Sequence, residues 1–298
     1  MGIVQNLVLV FVAGLLTAFA TGLGAVPFFF VDEFSDRWNV GLWGLASGIM
    51  LSASAFGLIR EGLASGTVLE LAGGLLIGVA LVVASGEILD RVDFGPDEGA
   101  AGAAADDVGE QYTVEDDAPV EGDEHAEEAR AFVEGDFKQL VLILGVLTVH
   151  SFPEGVAIGV SFAELGNVQG IPIFGVAVPL LAVFMTVAIS IQNVPEGLAI
   201  AIPLRSFDVS DWGMVGWAVF SSLPQPIGAV IAFGFVRLAR SFIPYGFGFA
   251  AGAMIYLVAT ELVPEGLEYG EGLSTRGYPA MAGGLILGFA VMIPLTFL

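Results

Sequence analysis

From Leu7 to Phe30 the chain runs 24 residues without one charged side chain. A helix needs about 20 apolar residues to cross the hydrocarbon core of a bilayer, and in water such a run would leave a broad apolar surface uncovered. The pattern recurs along the sequence, and long apolar runs predict eight spans, at 4–30, 40–59, 67–89, 139–162, 173–204, 212–236, 245–267 and 278–298. Inside lipid every backbone N–H and C=O must be satisfied within the protein. Period-2 alternation is absent, so the spans are expected to be helices and not barrel strands. No basic segment precedes the first run, which reads as a span and not as a cleaved signal peptide. The expected fold class is therefore an all-α integral membrane protein.

Composition sets a second constraint that looks opposed to the first. The 298 residues are 56% hydrophobic, yet 32 acids against 9 bases leave a net charge of −23. Charged residues make up 14% of the chain, against about 25% for a soluble domain. That excludes an ordinary soluble globule, and the apolar content excludes a wholly disordered chain. Without clustered Lys and Arg, nucleic acid is excluded as a partner. The charge is concentrated: Asp90 to Lys138 holds 17 acids and three bases, so 14 of the 23 net negative charges lie in 49 residues. Rich in Gly, Ala and Asp, this stretch has too little apolar surface to offset its ordering entropy, and it is expected to be a solvated, mostly disordered loop. The chain thus divides into 1–89 with spans one to three, the acidic loop 90–138, and 139–298 with spans four to eight. His125, among Glu124, Glu127 and Glu128, reads as part of a solvated charge run. The acid excess also suits a high-salt cytoplasm, in a halophile-like manner.

Six bases (Arg37, Arg91, Arg130, Lys138, Arg205, Arg276) fall on loops of one side and three (Arg60, Arg237, Arg240) on the other. The excess of basic residues on cytoplasmic loops then places the acidic loop in the cytoplasm and both termini outside, in a multi-pass protein of the cell membrane. There is no cysteine. Disulfides, thiolate zinc sites and Cys nucleophiles drop out, and any metal must be held by His, carboxylate, amide, hydroxyl or thioether groups.

Two pairs of spans resemble each other. His150-Ser-Phe-Pro-Glu-Gly in the fourth aligns with Gln192-Asn-Val-Pro-Glu-Gly in the fifth, and Ala46-Ser-Gly-Ile-Met50 in the second with Ala250-Ala-Gly-Ala-Met254 in the seventh. Internal repeats with Gly- and Pro-interrupted helices are a transporter signature and point to a site between the repeats near the midplane. Ionisable groups inside spans are functional hypotheses by default, since burying a charge in lipid costs several kcal/mol. His150 and Glu154 stand one helical turn apart on one face, and Gln192 and Glu196 repeat that spacing. If the two faces meet, an imidazole, two carboxylates and an amide oxygen converge into a shell suited to zinc or a neighbouring transition metal. Pro153 and Pro195 remove the N–H partners of the Val149 and Ile191 carbonyls, so kinks are expected beside the ligands. Met50 offers a soft thioether or simply packs. Gln225, between Pro224 and Pro226, is either a ligand or a polar bridge between helices. Glu261, near a span end, is either a pathway group or solvated.

These motifs resemble the fourth and fifth spans of the ZIP (Zrt-, Irt-like) metal transporters, and are most similar to their prokaryotic GufA-like branch. The similarity covers most of the chain outside the acidic loop, including the seventh-span segment Phe249-Ala-Ala-Gly-Ala-Met-Ile-Tyr. The resemblance implies uptake of zinc, and in some members iron, manganese or cadmium, into the cytoplasm, with the metal as cargo and no cofactor. It places a first metal position on His150, Glu154, Gln192 and Glu196 with Met50 nearby. A second would draw on Ser151, Glu154, Asn193, Glu196 and Gln225, with Glu261 on the release path. The sequence departs from the family where Ser151, Asn193 and Gln225 stand, positions often filled by Asn, by Asp or Asn, and by Glu. Up to two negative charges are thereby missing from the second position, and one metal is expected in place of a binuclear centre. Thr260 also stands before Glu261 where some relatives have His. The expected partners are the bilayer, divalent ions and, as a homodimer, a second copy of the chain.

Three rivals fit less well. An intramembrane zinc enzyme would need a general base, and the chain has no His-Glu-x-x-His and no second His in the spans. A proton-coupled organic cation carrier would need a roomy aromatic-lined cavity, whereas small residues flank both motifs. A structural scaffold leaves the paired carboxylates unexplained.

Overall fold

The computed structural model describes residues 2–31, 35–89, 150–166, 170–173, 175–206 and 209–294; the acidic segment 90–138, with His125, lies outside them. The helices in chain order are α1 (Ile3–Phe29), α2 (Asp36–Ser65), α3 (Val68–Leu89), α4 (150–161), α5 (Leu180–Ser206), α6 (Asp211–Leu238), α7 (Arg240–Glu268) and α8 (Tyr278–Met292). Among the described residues, all of these but α4 and α8 are long and apolar enough to cross a bilayer. α8 is a shorter apolar helix of 15 residues, and α4 is described only from His150 onward.

The distribution of side chains is that of a protein solvated by lipid. Val8, Phe11, Leu16, Phe19 and Leu23 of α1 face outward, as do Ile227, Ile231, Phe235 and Leu238 of α6 and Ile286, Leu287 and Val291 of α8. The interior is built largely from Ala, Gly and Ser with buried polar side chains among them. An exposed apolar belt of this extent is untenable in water and ordinary in a bilayer.

Small residues bring the backbones together, as expected where packing and not hydrophobic exclusion joins helices in lipid. α2 and α8 meet through Gly44 and Gly48 on one and Gly284 and Gly288 on the other; a Cβ at any of the four would run into a carbonyl of the partner helix. α3 and α7 meet in the same way through Gly74, Gly78, Gly248 and Gly252. Gly155 of α4 lies against the Gln225 carbonyl of α6, and Gly197 of α5 against the Thr21 carbonyl of α1. Each glycine of the sequence repeats therefore has a counterpart in the same role, since α2 on α8 mirrors α7 on α3 and α4 on α6 mirrors α5 on α1. The repeat extends to backbone irregularities. α2 carries a π-helical stretch at Ala53–Ile59, just after Met50, and α7 carries one at Val258–Leu262, just after Met254.

Two features differ from the expected spans. The fifth begins at Leu180 and not at 173, because Ile171–Ile173 and Val176–Val178 pair as an antiparallel hairpin, Ile171 opposite Val178, around Gly175 at φ +79°. The helical pattern runs on through Pro153 and Pro195, whereas α6 breaks at Ser222–Leu223. Its second half starts on Pro224, which lacks the N–H that a first helical turn leaves unused.

Candidate metal site

Glu154 is the most deeply buried carboxylate in the described spans, 2% exposed. Gly155 seats α4 directly on α6, so the neighbouring Glu154 reaches the turn that follows the break in that helix. Its two oxygens accept from different helices, one from Gln192 Nε2 of α5 and the other from Gln225 Nε2 of α6. Gln225 is itself fully buried, and its Oε1 accepts from Thr17 Oγ1 at 2.6 Å and from Asn193 Nδ2 at 3.1 Å. Asn193 also donates to the Thr17 carbonyl at 2.9 Å. One carboxylate, three amides and a hydroxyl thus tie α1, α4, α5 and α6 together at one level. Just beyond, Ser151 Oγ donates to the Ser221 carbonyl at 3.3 Å, and the Thr21 and Ser222 hydroxyls lie 2.7 Å apart.

The remaining expected ligands lie on α2, α4 and α5. Glu196 and His150 both act electrostatically on Glu154. Two carboxylates ionised together in an apolar interior would repel strongly, since screening is weak there. His150 Nε2 meets the Glu261 carboxylate, which rides on the π-helical stretch of α7. Met50 is buried on α2 at 5% exposure, in the same apolar cluster as Val156 and Ala157 of α4 and Ala188 and Ile189 of α5. Among the described residues no three His, Asp or Glu side chains gather as a group able to hold a metal as they stand. The reason is visible in the contacts, as His150 turns to Glu261 and amide N–H groups occupy both oxygens of Glu154. Two acceptors in the cluster, Gln192 Oε1 and Asn193 Oδ1, are buried without a hydrogen-bond partner. Such orphan oxygens are uncommon in folded proteins.

Sequence reasoning missed Thr17, Thr21 and Ser222. The signal available was the i, i+4 spacing of the two threonines in an otherwise charge-free helix, which puts both hydroxyls on one face.

The fold and the cluster together define a multi-pass α-helical membrane protein assembled from structural repeats, with its polar groups gathered where the repeats meet. The chain belongs to the ZIP zinc transporter family, whose sequence pattern matches residues 97–296. The family consists of transporters and not enzymes, which removes the intramembrane zinc enzyme. A putative zinc transporter of Arabidopsis thaliana is 35% identical over 255 residues, covering 85% of this chain and 34% of the plant protein, so the chain spans about a third of that relative's length. The zinc transporter ZIPB of Bordetella bronchiseptica is 33% identical over 275 residues, 92% of this chain and 76% of the relative. The zinc transporter GufA of Myxococcus xanthus is 25% identical over 265 residues, 85% of this chain and 87% of the relative.

Proposed function

We propose that the chain carries divalent transition-metal cations, zinc foremost, from outside into the cytoplasm through one metal position at His150, Glu154, Gln192 and Glu196, with Met50 beside it. The observation that carries this reading is Glu154, a carboxylate enclosed where four helices meet and held there by amides from two of them. An arriving cation supplies the missing counter-charge. Rotation of the Gln192 amide replaces its N–H donor with Oε1, the oxygen now without a partner. His150 swings from Glu261 to the ion on binding and returns on release, which makes Glu261 the first acceptor on the way out. Binding is moderate by necessity, since a site that holds its ion tightly stops flux.

The single-metal reading is supported by Gln225. It brings no charge, and its oxygen is already engaged by Thr17 and Asn193. Two dications would share only Glu154 and Glu196, and their mutual repulsion would be poorly offset. Movement of α4 and α5 against the rest, with Pro153 and Pro195 as bending points, opens the site alternately to the two sides. The orientation adopted is that of the basic-residue count, with the termini outside and 90–138 in the cytoplasm. The test is metal flux in liposomes. Wild type is expected to carry zinc, and His150→Ala and Glu196→Ala to carry none; unchanged flux in both variants refutes the assignment.

A further inference from the structure

The hydroxyls on these helices differ in how they are satisfied. Ser161, Thr186, Ser190, Ser221 and Thr260 each donate to a carbonyl three or four residues back, the usual way a hydroxyl is satisfied in an apolar helix. Ser47, Ser52 and Ser54 of α2 do not, although all three are fully enclosed, and their oxygens have no hydrogen-bond partner. The amide oxygen of Asn39, 5% exposed, is in the same condition.

Position separates these groups further. At about 100° per residue, Asn39, Trp43, Ser47, Met50 and Ser54 fall within an arc of about 80° on α2. Gly44 and Gly48, which seat α8, lie on the opposite side, and Ser52 points with them. α2 also touches α5, where Gly57, within the π-helical stretch, leaves room for Met185 and Phe184, while Trp43 of the arc packs against Gly266 of α7. With two spans between them in the chain, α2 and α5 run antiparallel. About two turns back from Gly57, across part of the π-helical stretch, is Met50, and two turns forward from Met185 is Gln192, which sets the thioether near the level of the polar cluster. Ser54 and Ser47 then lie one turn to either side of that level.

We propose that Ser47 and Ser54 are stations of the permeation path, hydroxyls that hold the partly dehydrated cation, or water it retains, immediately before and after the Met50 level. This rests on the transport reading and adds two residues of α2 to it. The oxygen lone pairs suit a hard or borderline divalent ion, and their neutrality keeps them from trapping it.

Because the chain has no cysteine, Ser47→Cys, Ser54→Cys and Ser52→Cys each introduce a single thiol of nearly the same size. In proteoliposomes a small water-soluble cationic methanethiosulfonate is expected to modify Ser47→Cys and Ser54→Cys, with zinc suppressing the reaction at both, and to leave Ser52→Cys unmodified. The Ser47→Ala, Ser54→Ala double variant is expected to carry zinc about fivefold more slowly, the worth of one modest hydrogen-bonding interaction, with zinc binding at equilibrium unchanged. If Ser47→Cys and Ser54→Cys resist the reagent as Ser52→Cys does, or react without zinc protection, in protein that still carries zinc, the proposal is overturned and the transport reading stands. Absence of zinc flux in the wild type overturns the transport reading and this inference with it.

Discussion

Each oxygen of Glu154 is met by an amide N–H, which holds the side chain between α5 and α6. Glu154→Ala is therefore expected to abolish zinc binding measured by titration calorimetry. Glu154→Gln should keep the helices together but bind zinc far more weakly, since an amide brings no charge. Thr17 acts at one remove, because its hydroxyl fills one acceptor position of Gln225. Thr17→Val is expected to lower stability by about 1–2 kcal/mol, the cost of leaving a buried acceptor partly unpaired, as read by thermal unfolding in detergent, while the metal stoichiometry stays at one. Gln225→Glu should create a second binding event by restoring a charge, and two metals per chain in the wild type would refute the single-site reading. His150, Glu154, Gln192 and Glu196 stand out in the sequence as charged and amide groups in apolar runs, and of these the structure joins Glu154 and Gln192 by a hydrogen bond. Thr17 is harder to read, since a threonine in a span most often satisfies itself against its own helix. Its role depends on α6 arriving opposite it.

Glycine seams decide how the helices sit, and they can be tested one position at a time. A methyl at Gly197 would overlap the Thr21 carbonyl, and one at Gly155 the Gln225 carbonyl. Gly197→Ala and Gly155→Ala are each expected to cost about 1–3 kcal/mol or more, the penalty of overpacking, and to lower the yield of folded protein by size exclusion. Gly216, with nothing within 4 Å of an added Cβ, is the control: Gly216→Ala should be neutral, or stabilising by up to about 1 kcal/mol through helix propensity. The apolar runs were legible because length and hydropathy alone specify a helix in lipid. The hairpin before α5 was not, since Ile171–Val178 is as apolar as the helix that follows and only Gly175, at positive φ, marks the turn. The π-helical stretch in α2 carries no proline or other evident local signal, whereas the one in α7 precedes Pro264, which has no N–H for the Thr260 carbonyl.

Across the molecule, two groups of helices repeat one plan around a central pair. The short sequence matches at Gly48 and Gly252, and at Gly155 and Gly197, mark the same packing role in each half. Gly48→Ala and Gly252→Ala should consequently destabilise to a similar degree, whereas widely different unfolding temperatures would show that the repeat is one of sequence only. The net charge of −23 also divides by location. Most of it belongs to 90–138, whereas Glu154, Glu196 and Glu261 stand at the candidate site. Orientation is open to the same cysteine approach: a thiol introduced as Ala104→Cys should react with an impermeant reagent from the cytoplasmic side alone. The proposed single metal position makes one sharp demand on a crystal soaked in zinc and measured at the zinc absorption edge. The expected result is one anomalous peak per chain within about 2.0–2.3 Å of His150, Glu154 and Glu196; two peaks of comparable occupancy, or none among these side chains, would contradict it.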